Sequence, residues 1–386
     1  MVYRFVLWVL LFVSFSVSYA LPPQADTFQF IALADIHFDP FNSCIAKNNC
    51  PLIDELRASK ATEWPQILAK YDVQPQQMKR DTGYELLTSA MTLAKEAAHV
   101  NHPQFVLVLG DFLAHEFRDK YKRYSSDKHA FNYESFVQKT LTFLNNQLAH
   151  DFPSLTIYCV VGNNDSYHGS YYVKPNGTFF KNQALLWSSL IREVSNRDTM
   201  QKQFLYAGYY TLTLPYPNNL RLIVLNTSLF SYKAKGRDLN TAALNQLNWL
   251  HAQLQQAKNA HQRVFIAMHI PEGIDIYATT HTRLFRLINL WKSPYIQRFE
   301  VEMNQFSAEI AGIFTGHLHR NQFQLLTYQD GHEIPFIGVT SISPIFGNEP
   351  GFRSISYFMH PIHLDDITTY SFPIGVGSAK LQESQE

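Results

Sequence analysis

The 386-residue chain has no excess of either charge: 32 lysines and arginines face 32 aspartates and glutamates. A protein that grips a nucleic-acid duplex shows a basic excess or a basic stripe, so that class is set aside. Cysteine is scarce. None of Cys44, Cys50 and Cys159 has a convincing histidine partner close in sequence, which argues against thiol catalysis. Repeats and low-complexity tracts are missing too. Beyond the first twenty residues no apolar run approaches the ~20 residues a spanning helix needs, so no stable membrane insertion is expected of the remainder.

Those first twenty residues have their own pattern. Arg4 supplies a positive start, Phe5 to Val17 an apolar stretch, and Ser18-Tyr19-Ala20 a small-residue cleavage site. This is the form of a secretory signal peptide, with cleavage expected after Ala20 and an uncleaved anchor as the alternative. A secreted or extracytoplasmic, soluble protein follows. Cys44 and Cys50 sit in a polar loop and could close a small disulfide, whereas Cys159 lies in an apolar run and reads as a buried free thiol.

What the chain does have is 46% hydrophobic residues, 14% aromatics and 16 histidines, enough for a large core and a reason to look for metal sites. Short apolar runs alternate with helical patterns, as in α/β folds. Strands are expected at 28–33, 105–109, 155–161, 222–225, 264–268, 310–314 and 336–339. Helices are expected at 84–100, where Leu86, Leu87, Ala90, Leu93, Ala94 and Ala97 share a face, and at 245–260. Residues 42–80 read as irregular apart from a short helix near Trp64. No linker divides the chain, so the organisation is a signal peptide (1–20), one domain (21–375) and a polar tail that should fray (376–386).

The chemistry-bearing residues stand at strand ends. The first strand runs into Asp35-Ile36-His37, the second into Gly110-Asp111, and the third into Gly162-Asn163-Asn164-Asp165. The run 264–268 ends in His269, and 310–314 leads to Gly316-His317-Leu318-His319. Each group alone is commonplace, since a lone histidine at a strand end is usually structural. Five such groups, all at carboxyl ends where α/β sheets place ligands, are a strong signal. Neutral imidazole and carboxylate suit zinc, manganese or iron. Two ions ~3.5–4 Å apart need a bridging carboxylate, activate a water and neutralise phosphoryl charge.

This order of motifs resembles the calcineurin-like metallophosphoesterase superfamily, and within it the acid sphingomyelinase-like phosphodiesterases. The matching blocks are Asp35-Ile36-His37-Phe38-Asp39-Pro40, Gly110-Asp111 with His115, Leu225-Asn226-Thr227, Trp249-Leu250, His269-Ile270-Pro271-Glu272-Gly273, Gly316-His317-Leu318-His319-Arg320, and the late loop from Ser343-Pro344 to Asn348-Glu349-Pro350-Gly351-Phe352-Arg353. The resemblance implies a four-layer α/β/β/α sandwich with two mixed sheets and two divalent metal ions, zinc first and manganese or iron as alternatives. Asp35, His37, Asp111 and His319 would hold one ion, and Asp111, Asn163, His269 and His317 the other, with Asp111 as the bridge. His115, taken to lie one helical turn beyond Asp111, would contact the phosphate or protonate the leaving group.

Two departures bear on the substrate. The family's third block reads Gly-Asn-His, but here Asn164 stands in the histidine's place. Either His115 or nearby His168 suffices as proton donor, or the leaving-group preference is altered and activity weakened. The segment between the signal peptide and the first strand is also too short for the lipid-presenting module of sphingomyelinase proper. A small soluble nucleotide-like phosphate, met by Asn164 and His168 on a monomeric enzyme, is therefore favoured. A sphingomyelin-type headgroup phosphodiesterase and a non-catalytic binding protein are the alternatives. The insert 117–133, with Arg118, Lys120, Lys122, Arg123 and Lys128, reads as a solvated charged loop, although it could draw polyanions.

Overall fold

A computed structural model describes residues 27–44, 49–71, 75–215, 217–281, 287–374 and 382–385; the expected signal peptide lies outside them. The apolar runs become strands β1 (Thr27–Leu33), β2 (Phe105–Val108), β3 (Thr156–Cys159), β4 (Tyr210–Thr213), β5 (Leu220–Leu225), β6 (Arg263–Met268), β7 (Ile310–Thr315), β8 (Gln322–Thr327), β9 (Glu333–Gly338), β10 (Gly351–Met359), β11 (Ile362–Ser371) and β12 (Gln382–Gln385). They form two six-stranded sheets, ordered β12-β11-β10-β1-β2-β3 and β4-β5-β6-β7-β9-β8.

Both sheets are mixed. β1, β2 and β3 run parallel in the first, and β5, β6, β7 and β9 in the second, with antiparallel strands outside them. Parallel strands covered on both faces need apolar side chains throughout, and every residue of β2 and β3 is buried. The facing surfaces meet through Phe30, Phe265, Phe314 and Tyr357, all wholly buried, with Phe30 5.1 Å from Phe314 and Phe265 5.5 Å from Tyr357 between ring centroids. Truncating one such phenylalanine to alanine costs about 3–5 kcal/mol. The helix Tyr84–Asn101 covers the outer face of the first sheet with its predicted apolar stripe, and Arg237–Asn259 covers that of the second with Leu239, Leu247, Leu250 and Leu254. The layers are thus α/β/β/α.

Several expectations need correction. Residues 42–80 hold, besides the expected short helix at Trp64–Tyr71, a second one, Pro51–Ala58, whose buried Leu52, Ile53 and Leu56 were hidden among polar neighbours. The disulfide Cys44–Cys50 closes just before the first of them, while Cys159 is a buried free thiol. The segment read as a charged loop starts with a helix, Phe117–Tyr124, that buries Phe117 and Tyr121. Part of the tail expected to fray is β12, paired with β11 from Ser371↔Gln382 to Thr368↔Gln385. β10 escaped notice because it buries polar side chains: Arg353 donates to Thr369 Oγ1 at 3.1 Å and to the Gln322 carbonyl at 3.2 Å.

Candidate metal centre

Because β1, β2 and β3 are parallel, their carboxyl ends open on one edge, and so do those of β6 and β7. Asp35 and His37, Asp111, Asn163, His269, and His317 with His319 follow those five strands directly. The two sheets are stitched together at this edge. His269 Nδ1 donates to the Leu109 carbonyl at 2.7 Å, and the His317 amide donates to both Asp35 carboxylate oxygens at 3.1 and 2.9 Å.

The local backbone is unusual. Asp35, His37, Asp111, His317 and His319 all have positive φ, between 43° and 70°. Non-glycine residues rarely adopt that region, and each costs of order 1–3 kcal/mol unless the surroundings enforce it. Enforcement is visible: the Asp35 amide donates to the Gly110 carbonyl at 3.1 Å, and that of His37 to the Asp111 carbonyl at 2.9 Å. Asp165 fixes the middle turn, accepting from the amides of Asp111 (3.0 Å), Phe112 (2.8 Å), Leu113 (3.2 Å) and Gly162 (2.9 Å). Gly162 must lack a side chain, because a Cβ would lie 2.1 Å from the Asp111 nitrogen.

The side chains converge as acceptors. His37 Nε2 lies 3.2 Å from His319 Nε2 and 3.4 Å from Asp111 Oδ2. His269 Nε2 lies 3.2 Å from Asp111 Oδ2 and 3.1 Å from Asn163 Oδ1. Asp35 Oδ1 is 3.3 Å from His319 Nε2 and reaches to 4.0 Å from His269 Nε2. His317 joins Asp111 and His269 in one cluster of possible ligand atoms, and Asp35, His37 and Asp111 form another. Since Nδ1 of His37 donates to the Leu113 carbonyl (3.0 Å) and that of His269 to Leu109, the neutral rings present bare Nε2 lone pairs to the site. His319 lacks that anchor, its buried Nδ1 having no partner among the described residues.

Lone pairs facing lone pairs in a dry pocket repel unless positive charge lies between them. Without a metal, protons take that part. Burial opposes ionisation of Asp35 and Asp111, yet the neighbouring histidines hold both well below the usual carboxylate range. Burial likewise opposes a charge on His269, but Asp111 and Asp35 push it up to about 9. Burial, with the charge of His269, pushes His317 down to about 3, leaving a neutral nitrogen donor. Carboxylate, imidazole and amide oxygens in this arrangement fit one or two borderline divalent cations.

His115 stands beside the cluster, its ring stacked on His37 with centroids 4.1 Å apart. No helical turn separates it from Asp111: Leu113 is bridged to Phe38 and the chain is extended until the turn at His115. Its ring can also reach the ligand atoms of His37 and His319. Asn164 turns inward, donating from Nδ2 to Asp111 Oδ2 at 2.7 Å and accepting from Ser170 Oγ at 2.6 Å. His168 stays outside. It is exposed, on the rim of a cleft of about 340 Å³ that Asn164, Arg118, Lys122 and Tyr133 also line. The residues missed from sequence are Asp81 and Lys120. Asp81 Oδ1 takes His115 Nδ1–H, and Lys120 Nζ, far from solvated, donates to Asp39 at 2.8 Å and to Asp81 at 2.9 Å. Asp81 sits in no motif and was invisible without the fold.

Comparison with known proteins agrees with this geometry. The family model for calcineurin-like phosphoesterases matches residues 28–321. Sphingomyelinase phosphodiesterase D of Dictyostelium discoideum is 27% identical over 309 residues, covering 78% of this chain and 62% of that protein. Its phosphodiesterase C is 28% identical over 296 residues, covering 72% and 59%, so the chain spans about three-fifths of these relatives' length. The human cyclic GMP-AMP phosphodiesterase SMPDL3A is 24% identical over 359 residues, covering 90% of this chain and 71% of that one. On these matches the chain belongs to the calcineurin-like phosphoesterase family, and the relatives it resembles are named as sphingomyelinase-type and cyclic GMP-AMP phosphodiesterases.

Proposed function

We propose that this is an exported, monomeric enzyme with two divalent ions, zinc in the first instance, that hydrolyses phosphodiester or phosphoanhydride bonds in small soluble nucleotide-like molecules. One ion is assigned to Asp35, His37, Asp111 and His319, the other to Asp111, Asn163, His269 and His317. The observation that carries this reading is the acceptor cluster: Asp111 Oδ2 lies within 3.4 Å of the Nε2 atoms of both His37 and His269, the position a shared carboxylate requires. Bound there, the ions supply a nucleophilic water at neutral pH and offset charge on the phosphoryl oxygens.

The chain's own residues supply the rest. Asp35 and Asp111 bring the negative charge that makes the site selective for cations. His115 faces the same space and gives a proton to the departing oxygen; Asp81 holds its ring and leaves Nε2 free for that task. Asn164 steadies Asp111, and the cleft beside it, rimmed by His168 and Arg118, takes the remainder of the substrate. Export is supported by the signal-peptide pattern and by the Cys44–Cys50 disulfide, which belongs to an oxidising compartment. We read 21–375 as one catalytic unit.

Elemental analysis and a substrate panel test the proposal together. Two equivalents of a divalent metal are expected, with nucleotide anhydrides or diesters turned over faster than sphingomyelin in vesicles. The lipid-headgroup reading has one observation in its favour, the names of the two Dictyostelium relatives. Faster turnover of the vesicles would establish it instead.

A further inference from the structure

Phe346 is two-thirds exposed (66%), yet its ring is set against the metal centre. Its centroid lies 4.7 Å from that of His319 and 5.6 Å from that of His115, both edge-to-face at 76° and 83°. The turn that carries it is fixed rather than loose. The Gly347 and Lys79 amides both donate to the Pro344 carbonyl, at 2.9 and 3.0 Å, and Gly347 adopts the left-handed conformation at φ 83°. Asn348 Nδ2 donates to Ser341 Oγ, the Ser343 carbonyl and the Glu349 carbonyl, while the Ser343 amide donates to the carbonyl of Asp35. The turn is thereby tied to the same residue that begins the site.

An apolar ring held in water by so many bonds forgoes the burial that normally stabilises phenylalanine. Unlike Phe38 and Phe112, which are buried under the site, Phe346 offers a free face to whatever enters it. A phosphoryl group in reach of His115 directs the substituent on its departing oxygen toward this ring. We infer that Phe346 is a stacking platform for a planar aromatic ring, a nucleobase or an aryl group, carried on the leaving-group side of the substrate. This rests on the assignment of His115 to that side and deepens the nucleotide reading. Stacking on an aromatic side chain tolerates any base, so the platform selects for a ring rather than for its identity.

Calorimetry with adenosine 5′-monophosphate and with inorganic phosphate, on wild type, Phe346→Ala and Phe346→Trp with matched metal content, tests this without turnover. The wild type should bind the nucleotide on the order of tenfold tighter than phosphate, the range expected for one stacked base. In Phe346→Ala that ratio should fall toward one, and in Phe346→Trp it should persist, which separates stacking from a collapsed turn. A wild type that does not distinguish the two ligands, or an advantage that survives in Phe346→Ala, overturns the inference. Hydrolysis of adenosine triphosphate against tripolyphosphate judges the nucleotide reading separately, since both contain the same anhydride bond.

Discussion

His115 Nδ1 donates to Asp81 Oδ1 at 2.9 Å, and the accepting carboxylate is almost fully enclosed while the imidazole keeps about a third of its surface open. The other Asp81 oxygen takes the His115 amide at 3.0 Å and Lys120 Nζ at 2.9 Å, so every direction of the carboxylate is used. Burial alone would keep Asp81 protonated, but the hydrogen bond from His115 and the charge of Lys120 hold it well below the ordinary carboxylate range. In return, burial opposes a charge on His115 and Asp81 overrides it, raising the imidazole above its usual value. A buried anion that orients an imidazole with one open edge is the arrangement a proton donor needs.

Asp81→Asn is therefore expected to lower kcat about tenfold or more with KM little changed. An amide can accept from His115 but gives Lys120 no charge and holds no imidazolium. The loss should be steeper for alkyl than for aryl leaving groups, because only the former depend on protonation. An equal loss for both classes would show that Asp81 supports the fold rather than the donor.

Asp111→Ala should abolish hydrolysis and remove at least one metal equivalent. Its Oδ2 faces both histidine pairs, and without it two cations would repel at close range. Asp35 also spans the site, at 3.3 Å from His319 and 4.0 Å from His269, so some residual binding is compatible with the assignment. Two retained equivalents with near-normal turnover would refute it.

His115→Ala should reduce turnover by ~10²–10⁴-fold, the usual worth of a general acid, while both metal equivalents remain. The stacking of His115 on His37 makes elemental analysis decisive here. If the variant loses an ion, His115 is a ligand and the proton must come from elsewhere.

The candidate site was legible because its candidate ligands follow strands whose apolar runs stand out: Leu33, Val108, Cys159, Met268 and Thr315 each close a largely buried strand no more than four residues before one. What failed to show has physical reasons. Asp81 lies thirty positions from Asp111 in a polar segment, and only tertiary contact gives it a role. β10 and β11 bury Arg353, Ser354, Ser356 and Thr369, paired with one another or with Gln29 and Asp365, so neither reads as an apolar strand. Lys120 looked like surface charge because nothing local announces Asp39, eighty-one residues earlier.

Asn164 makes the most exposed prediction. Its Nδ2 donates to Asp111 Oδ2 and its amide nitrogen to Asp111 Oδ1, both at 2.7 Å, so the side chain serves the candidate bridging carboxylate. An amide has no proton to give to an alkoxide. The wild type, left with His115 as its one donor, should accordingly favour anhydride and aryl substrates, whose leaving groups are stable, over alkyl diesters, where a second donor at position 164 would be worth on the order of 10²-fold. Asn164→His would restore a donor but give up at least one bond to Asp111, and outer-shell losses of this kind typically weaken metal binding 10–100-fold. Rates must then be compared at saturating metal. Under that condition Asn164→His should raise the alkyl rate by a larger factor than the aryl rate. Asn164→Ala, which loses the same bond without gaining a donor, should weaken metal binding and leave the alkyl-to-aryl ratio where it was. Equal factors for the two classes in Asn164→His, or a wild type already fastest on alkyl diesters, would mean that His115 needs no second donor and that Asn164 does not set the leaving-group preference.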